Sequence, residues 1–163
     1  MQMNVLVSFI ALAISLAAFI FNVFNWRERK LQDQRDLYLK IHERLVDGDL
    51  QRGRRIIYQN VHSAEDAETL YRERPEDYGL ANRALAMLDV AALYEEQRYI
   101  DGKLFMREWG SVYARIRENS GYFIADRIAR SVAPAHPMWP HFQALASRAT
   151  ELAQMENRRA VQG

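Results

Sequence analysis

The apolar and polar positions divide this chain into two unequal parts. Residues 5–24 are apolar except for Ser8, Ser15 and Asn22, and no charged residue precedes Arg27. A helix of 20 residues is about 30 Å long, which matches the hydrocarbon layer of a bilayer. A cleaved signal peptide is disfavoured because no basic residue precedes the apolar run. The pattern therefore predicts a retained transmembrane helix over residues 1–25.

The residues after this run predict its orientation. Arg27, Arg29 and Lys30 follow it directly, and basic residues beside a span stay in the cytoplasm. Trp26 stands where an interfacial aromatic anchor is expected. The sequence thus predicts a single-pass protein of the bacterial inner membrane, with the N-terminus outside and the C-terminal part cytoplasmic.

Small and polar residues form one stripe on the predicted span. They recur at steps of three and four residues: Asn4, Ser8, Ala11, Ser15, Ala18 and Asn22. In lipid, small residues let helices approach closely, and polar side chains bond between helices. The stripe is interpreted as a contact face for a second copy or a partner membrane protein. The competing interpretation is that serine and alanine are simply common in membrane helices, with each serine hydroxyl hydrogen-bonded to the backbone of its own helix.

The rest of the chain shows helical spacing, and no segment alternates with period two. Residues 26–157 are predicted to form a cytoplasmic all-α bundle of about five to six helices, followed by a frayed tail over residues 158–163. The first helix ends at Asp47-Gly48 and continues the predicted span, since no proline or glycine intervenes. The apolar stretch from Asp77 to Arg98 is predicted to be the central helix.

Capping residues and breakers set the other predicted boundaries. Asp49, Ser63 and Asp101 are predicted to begin helices, because short polar side chains cap the first turn. Asn119-Ser120-Gly121 is predicted to end the helix that Asp101 begins, and Pro140 is predicted to begin the last helix.

The stretch Tyr99-Ile100-Asp101-Gly102, with Phe105 and Trp109-Gly110 after it, carries a family resemblance. An N-terminal span followed by a helical domain with these residues resembles a family of uncharacterised bacterial single-span membrane proteins of unknown function. The resemblance covers most of the chain and implies architecture only. Its residues are a turn, a cap and core aromatics, so it carries no catalytic residue across.

Composition narrows the function classes. The chain has 163 residues, 49% of them hydrophobic, with 22 basic and 21 acidic residues and no cysteine. This size and composition fit one folded domain beside the apolar segment. The near-balanced charge gives no basic field for nucleic acid. Without cysteine, disulfides and thiolate metal sites are excluded.

Signatures of enzymes and metal sites are missing, so no catalytic residue, cofactor, metal or small-molecule substrate is predicted. His136 and His141 flank a proline-rich turn and could approach each other. They would still need a third zinc ligand such as Asp126 or Glu151. Surface histidines in a loop are the favoured interpretation.

Two further polar groups are candidates. One line on the predicted central helix contains Asn82, Asp89 and Glu96. A buried carboxylate in this line could take part in acid–base chemistry. The favoured interpretation is that these residues make structural contacts. Arg52, Arg54 and Arg55 could hold an anion or an acidic partner, although Asp47 and Asp49 lie nearby in sequence and solvated arginines are common.

The predicted function is therefore non-enzymatic. The sequence favours a membrane-anchored helical protein that acts by protein–protein interaction at the cytoplasmic face of the lipid bilayer. It is predicted to be a homo-oligomer or to pair with another membrane protein through its span. The alternative is an oligomeric pore-forming effector of the stress or phage-defence type, gated by the cytoplasmic domain.

Overall fold

The computed structural model describes the backbone of residues 2–131 and 137–162, and it excludes the side chains of residues 2–11, 13, 161 and 162. The described residues contain six α-helices and no strand. The predicted all-α fold is confirmed. The helices are α1 Gln2–Leu45, α2 Gly48–Asn60, α3 Ala64–Glu73, α4 Pro75–Glu96, α5 Gly102–Ala129 and α6 Pro140–Gln162.

Local chemistry explains where the helices begin. The Ser63 side chain accepts a hydrogen bond from Asp66 N, and the Asp101 side chain accepts from Lys103 N and Leu104 N, so both predicted caps are confirmed. The predicted start of α6 at Pro140 is also confirmed.

The cap predicted for α2 is wrong by two residues. Asp47, not Asp49, accepts the first-turn hydrogen bonds, from Asp49 N and Leu50 N. Two acidic residues two positions apart look alike in the sequence, and only the backbone geometry of the turn decides which one caps the helix.

One predicted helix end is wrong. Helix α5 continues through Asn119-Ser120-Gly121 to Ala129 instead of breaking there. Ser120 is buried, and its hydroxyl donates to Arg117 O one turn earlier. The Asn119 amide donates to Tyr58 O at the C-terminal end of α2. These contacts hold residues of low helix propensity inside the helix, because tertiary packing outweighs propensity.

The chain divides into two compact units, one ending at Leu37 and the other beginning at Tyr38. In the second unit, α4 packs against α2 and α6, and α5 packs against α6, α2 and α3. The stretch predicted to be the central helix is α4, and both α4 and α5 contact all the other helices from α2 to α6. The predicted division after residue 25 stays a prediction.

The core of the second unit consists of large side chains from several helices. Fully buried residues include Ile57, Leu85, Leu88, Phe105, Tyr113, Phe123, Phe142 and Leu145. The Tyr113 hydroxyl donates a hydrogen bond to Leu88 O at 2.7 Å. The ring therefore contributes buried apolar surface to the core, and its hydroxyl is not left without a hydrogen-bond partner.

Helices α2 and α4 approach each other at a glycine. A Cβ atom built on Gly53 would lie 2.3 Å from Leu80 O and 2.9 Å from Ala84 Cβ. No other residue fits at this position without displacing the α4 backbone.

The predicted localisation is corrected. Within the described residues, no helix offers an apolar stretch long enough to cross a membrane. A span needs about 20 consecutive apolar residues, whereas the described side chains of α1 are apolar only from Leu12 to about Phe24, interrupted by Ser15 and Asn22, and charge begins at Arg27. The single-pass inner-membrane location is not carried forward, nor is the pore alternative, which depends on the same span. The early part of the predicted span, residues 1–11 and 13, lies outside the described side chains.

Candidate functional site

The most exposed apolar surface of the described chain lies on α1. Nine large apolar side chains between residues 12 and 26 are 40–66% exposed. They are Leu12, Ile14, Leu16, Phe19, Ile20, Phe21, Val23, Phe24 and Trp26. Proteins that act alone rarely leave such a contiguous surface uncovered, so this segment is the first candidate site.

Five of these side chains form one line, which we name the apolar seam. Leu12, Leu16, Phe19, Val23 and Trp26 follow each other at steps of four, three, four and three residues. Residues at these steps lie on the same side of an α-helix. The same spacing places the contact residues of helices that pair side by side.

The predicted stripe of small residues lies about a quarter turn from the apolar seam. Ser15, Ala18 and Asn22 are exposed, while the side chains of Asn4, Ser8 and Ala11 lie outside the described residues. The association role predicted for this stripe therefore stays a prediction.

The residues predicted for the membrane interface follow the apolar seam. Trp26 is 63% exposed, and Lys30 Nζ lies 5.5 Å from its ring centroid, a cation–π distance. Arg27 and Arg29 are exposed. The interfacial role predicted for these residues depended on a transmembrane span, so it is not carried forward.

The three predicted anion-contact arginines do not act as one group. Arg52 Nη2 donates to Asp77 Oδ1 at 2.8 Å. This salt bridge pairs the positive charge of Arg52 with the buried carboxylate of Asp77 in α4. Arg54 and Arg55 instead line a cleft between α2 and α5. Arg115 of α5 completes the cleft. Sequence reasoning missed it because nothing in the chain indicates that residues 60 positions apart meet.

This arginine cleft has a volume of about 170 Å³. Helix α2 contributes four residues at helical spacing, and α5 contributes three: Gln51, Arg54, Arg55, Tyr58, Val112, Arg115 and Ile116. Three of the seven are arginines and none is acidic. Among the described residues, no carboxylate forms a salt bridge with any of the three arginines, whereas seven arginines elsewhere do.

Arg54 is the buried member of the cleft, with 9% of its surface exposed. Its Nη1 donates to Leu45 O at the C-terminal end of α1 at 2.7 Å, and its guanidinium lies 5.4 Å from the Trp109 ring centroid. Burial lowers the pKa of Arg54 from its ordinary value, and the nearby Tyr113 and Tyr58 oppose that effect. The positive charge of Arg54 is therefore stabilised by the Leu45 carbonyl group and by the face of the Trp109 ring.

The line predicted on the central helix makes contacts between helices. Asn82 Oδ1 accepts from Arg127 Nε at 3.0 Å, and Asp89 Oδ1 accepts from Phe142 N at 2.8 Å in the first turn of α6. Glu96 Oε2 lies 2.6 Å from His141 Nδ1. Each residue of the line ties α4 to a neighbouring helix.

The histidines are dispersed. His141 contacts Glu96, and His42 packs edge-on against Trp109, with ring centroids 5.6 Å apart. His62 Nδ1 lies 3.2 Å from the Asn119 amide. His136 lies outside the described residues. In the part of the chain that the structure describes, no group of three histidine or acidic residues could hold a metal ion.

Asp126, considered above as a zinc ligand, is occupied by other partners. It accepts from Tyr78 Oη at 2.7 Å and from both Nε and Nη2 of Arg130. Burial alone would raise the pKa of Asp126, but the hydrogen bonds from Arg130 and Tyr78 lower it below its usual value. Burial, together with the bond to Asp126, raises the pKa of Tyr78. This network links α4 to α5.

Comparison with known proteins gives no match: no family model, no curated protein and no solved structure is similar to this chain. The resemblance to a family of bacterial single-span membrane proteins thus stays a prediction.

Proposed function

We propose that this protein acts by protein–protein interaction and self-associates through the apolar seam of α1. The observation that carries the proposal is the exposure of nine large apolar side chains within 15 residues of one helix. Burying a side chain of this size stabilises an assembly by about 1.5–3 kcal/mol. Covering even part of the segment therefore provides a strong driving force for association.

The spacing of the seam favours a partner helix. Steps of four and three residues bring successive side chains to one side, where they fit between the side chains of a parallel neighbour. A second copy of the chain presents the same residues at the same spacing. Leu16 and Phe19 occupy the centre of the seam, so they are the residues most fully covered in such a pair.

The charged residues after the seam set where the contact ends. Residues 27–36 contain four basic and three acidic side chains in mixed order. At the spacing of the seam, the next positions are Lys30 and Asp33. In a parallel pair each of them would face the same charge in the other copy, so the proposed contact ends at Trp26.

In this proposal the contact face differs from the stripe predicted by sequence. Small residues drive association where lipid surrounds the helix. In water, the removal of large apolar surface drives association instead. The seam therefore replaces Ser15 and Ala18 as the contact, and an experiment can separate the two faces because they lie about a quarter turn apart.

Single-cysteine variants test the proposal directly, because the chain contains no cysteine of its own. Phe19→Cys places the thiol on the seam, and Phe21→Cys places it on the far side of the helix. The two phenylalanines are a matched pair, each 66% exposed. Cells that express each variant are treated with a short bis-maleimide cross-linker, and the products are separated by mass.

We expect a product of twice the monomer mass for Phe19→Cys and little for Phe21→Cys or Ala18→Cys. A product with Ala18→Cys alone would assign the contact to the small-residue stripe and overturn the seam. Monomer only at all three positions, with each thiol labelled by a monofunctional maleimide, would overturn self-association through this segment.

A further inference from the structure

We propose that the arginine cleft between α2 and α5 is a binding site for a phosphate dianion, either free or as a small phosphomonoester. This site is separate from the apolar seam and does not depend on self-association. It is carried by three arginines that line one small cleft, none of them in a salt bridge with a carboxylate of the described residues.

The electrostatics of the cleft favour an anion. Arg55 and Arg115 line the cleft with exposed side chains, and Arg54, which also lines it, has lost most of its contact with water. A buried cation without a counter-charge is costly, and the cost is removed when an anion joins the group. The buried carboxylates Asp77 and Asp126 have their own arginine partners, and neither of them lines the cleft.

Aromatic rings contact two of the three guanidinium groups. The Arg54 guanidinium lies against the Trp109 ring, and the Arg115 guanidinium lies 5.9 Å from the Tyr58 ring centroid. Aromatic rings stack on guanidinium planes and restrict their orientation. A planar group with a fixed fork of donors binds phosphate oxygens in pairs.

The size of the cleft defines the ligand class. A volume of about 170 Å³ corresponds to roughly five or six water molecules, and it is below the range of about 300–1,000 Å³ of typical sites for larger ligands. The cleft therefore accommodates a phosphate and a few attached atoms. Val112 and Ile116 provide an apolar wall for those atoms.

Calorimetric titration of the full chain tests the site with four probes at one ionic strength. The probes are inorganic phosphate, glycerol phosphate, dimethyl phosphate and chloride. We expect binding of the two dianions and little binding of dimethyl phosphate or chloride, which carry one charge each. Tighter binding of glycerol phosphate assigns the site to phosphomonoesters, and tighter binding of inorganic phosphate assigns it to the free ion.

Variants at the exposed arginines connect the binding to the cleft. Arg55→Gln and Arg115→Gln are each expected to weaken dianion binding about tenfold or more, since each removes charge-assisted hydrogen bonds. Arg117→Gln is the matched control, because it removes an exposed arginine two residues away on the same helix. Circular dichroism checks that all three variants keep their helix content.

Two results would overturn the proposal. One is the absence of heat or saturation for both dianions at millimolar concentration. The other is an equal loss of affinity in Arg115→Gln and Arg117→Gln, which would show that general surface charge attracts the ion. Either result leaves the self-association of α1 untouched, because the cross-linking experiment does not involve the cleft.

Discussion

At the scale of single residues, position within the fold determines what an amino acid does. Arg52 and Arg54 are two residues apart on α2, yet Arg52 pairs with a carboxylate of α4 and Arg54 is buried against Trp109. Sequence reasoning placed both in one anion-contact group. It could not separate them because the partners, Asp77 and Trp109, are distant along the chain.

Gly53 gives the sharpest prediction at this scale. Gly53→Ala is expected to lower the free energy of unfolding by about 1–3 kcal/mol, because the new methyl group would overlap Leu80 O and force the helices apart. Gly121→Ala is the control in a helix interior with open space around it. There, alanine should raise stability by about 0.5–1 kcal/mol. Urea unfolding measures both changes, and equal effects would contradict the close approach of α2 and α4.

Asp126 predicts how stability depends on pH. Its pKa is lowered in the folded state, so its contribution is complete above the unfolded pKa of about 3.9. The contribution is lost as the pH falls through the folded pKa. Asp126→Asn should therefore cost about 1.5–3 kcal/mol at pH 7, where it removes charge-assisted hydrogen bonds, and much less near pH 2.

Urea unfolding of the wild type and Asp126→Asn at several pH values measures this difference. The pKa of Asp66 is also lowered, mainly by the hydrogen bond from His62 N. Because Asp66 is present in both proteins, its contribution to stability cancels in the comparison. A constant difference between pH 7 and pH 2 would show that the Asp126 carboxylate does not stabilise the fold through its charge.

At the scale of elements, the sequence predicts helices well where their ends are decided locally. Ser63, Asp101 and Pro140 act within one turn of their own position, and all three predicted starts are confirmed. The predicted break at Asn119-Ser120-Gly121 failed because contacts with α2 and within α5 continue the helix. Arg115 was missed for the same reason, since pairing between helices is not visible in spacing alone.

Helix α6 is capped from another element, which gives a testable consequence. Asp89 on α4 accepts from Phe142 N in the first turn of α6. Asp89→Ala should therefore destabilise the protein by about 1–2 kcal/mol, as the loss of an N-cap does. Hydrogen exchange should show faster opening in the first turn of α6. Ser63→Ala, which removes the local cap of α3, is the control and should speed exchange in α3 only; the same pattern in both variants would contradict the cross-helix cap.

At the scale of the whole molecule, the two compact units differ in how they use apolar residues. From Tyr38 onward, large apolar side chains are mostly buried in a shared core. In the unit that ends at Leu37, the described apolar side chains of residues 12–26 face solvent. The sequence predicted this segment as apolar and helical. The sequence also predicted that this segment crosses a membrane, and that prediction is wrong, because no described helix is long and apolar enough to do so.

The central claim is that the apolar seam of α1 brings copies of this chain together. It is tested by sedimentation equilibrium of the full chain in detergent-free buffer, over a range of concentrations. We expect a mass of two or more chains for the wild type and for Phe21→Ser, and a shift to monomer for Phe19→Ser. A monomer at every concentration for the wild type, or the same mass distribution for Phe19→Ser and Phe21→Ser, would contradict it.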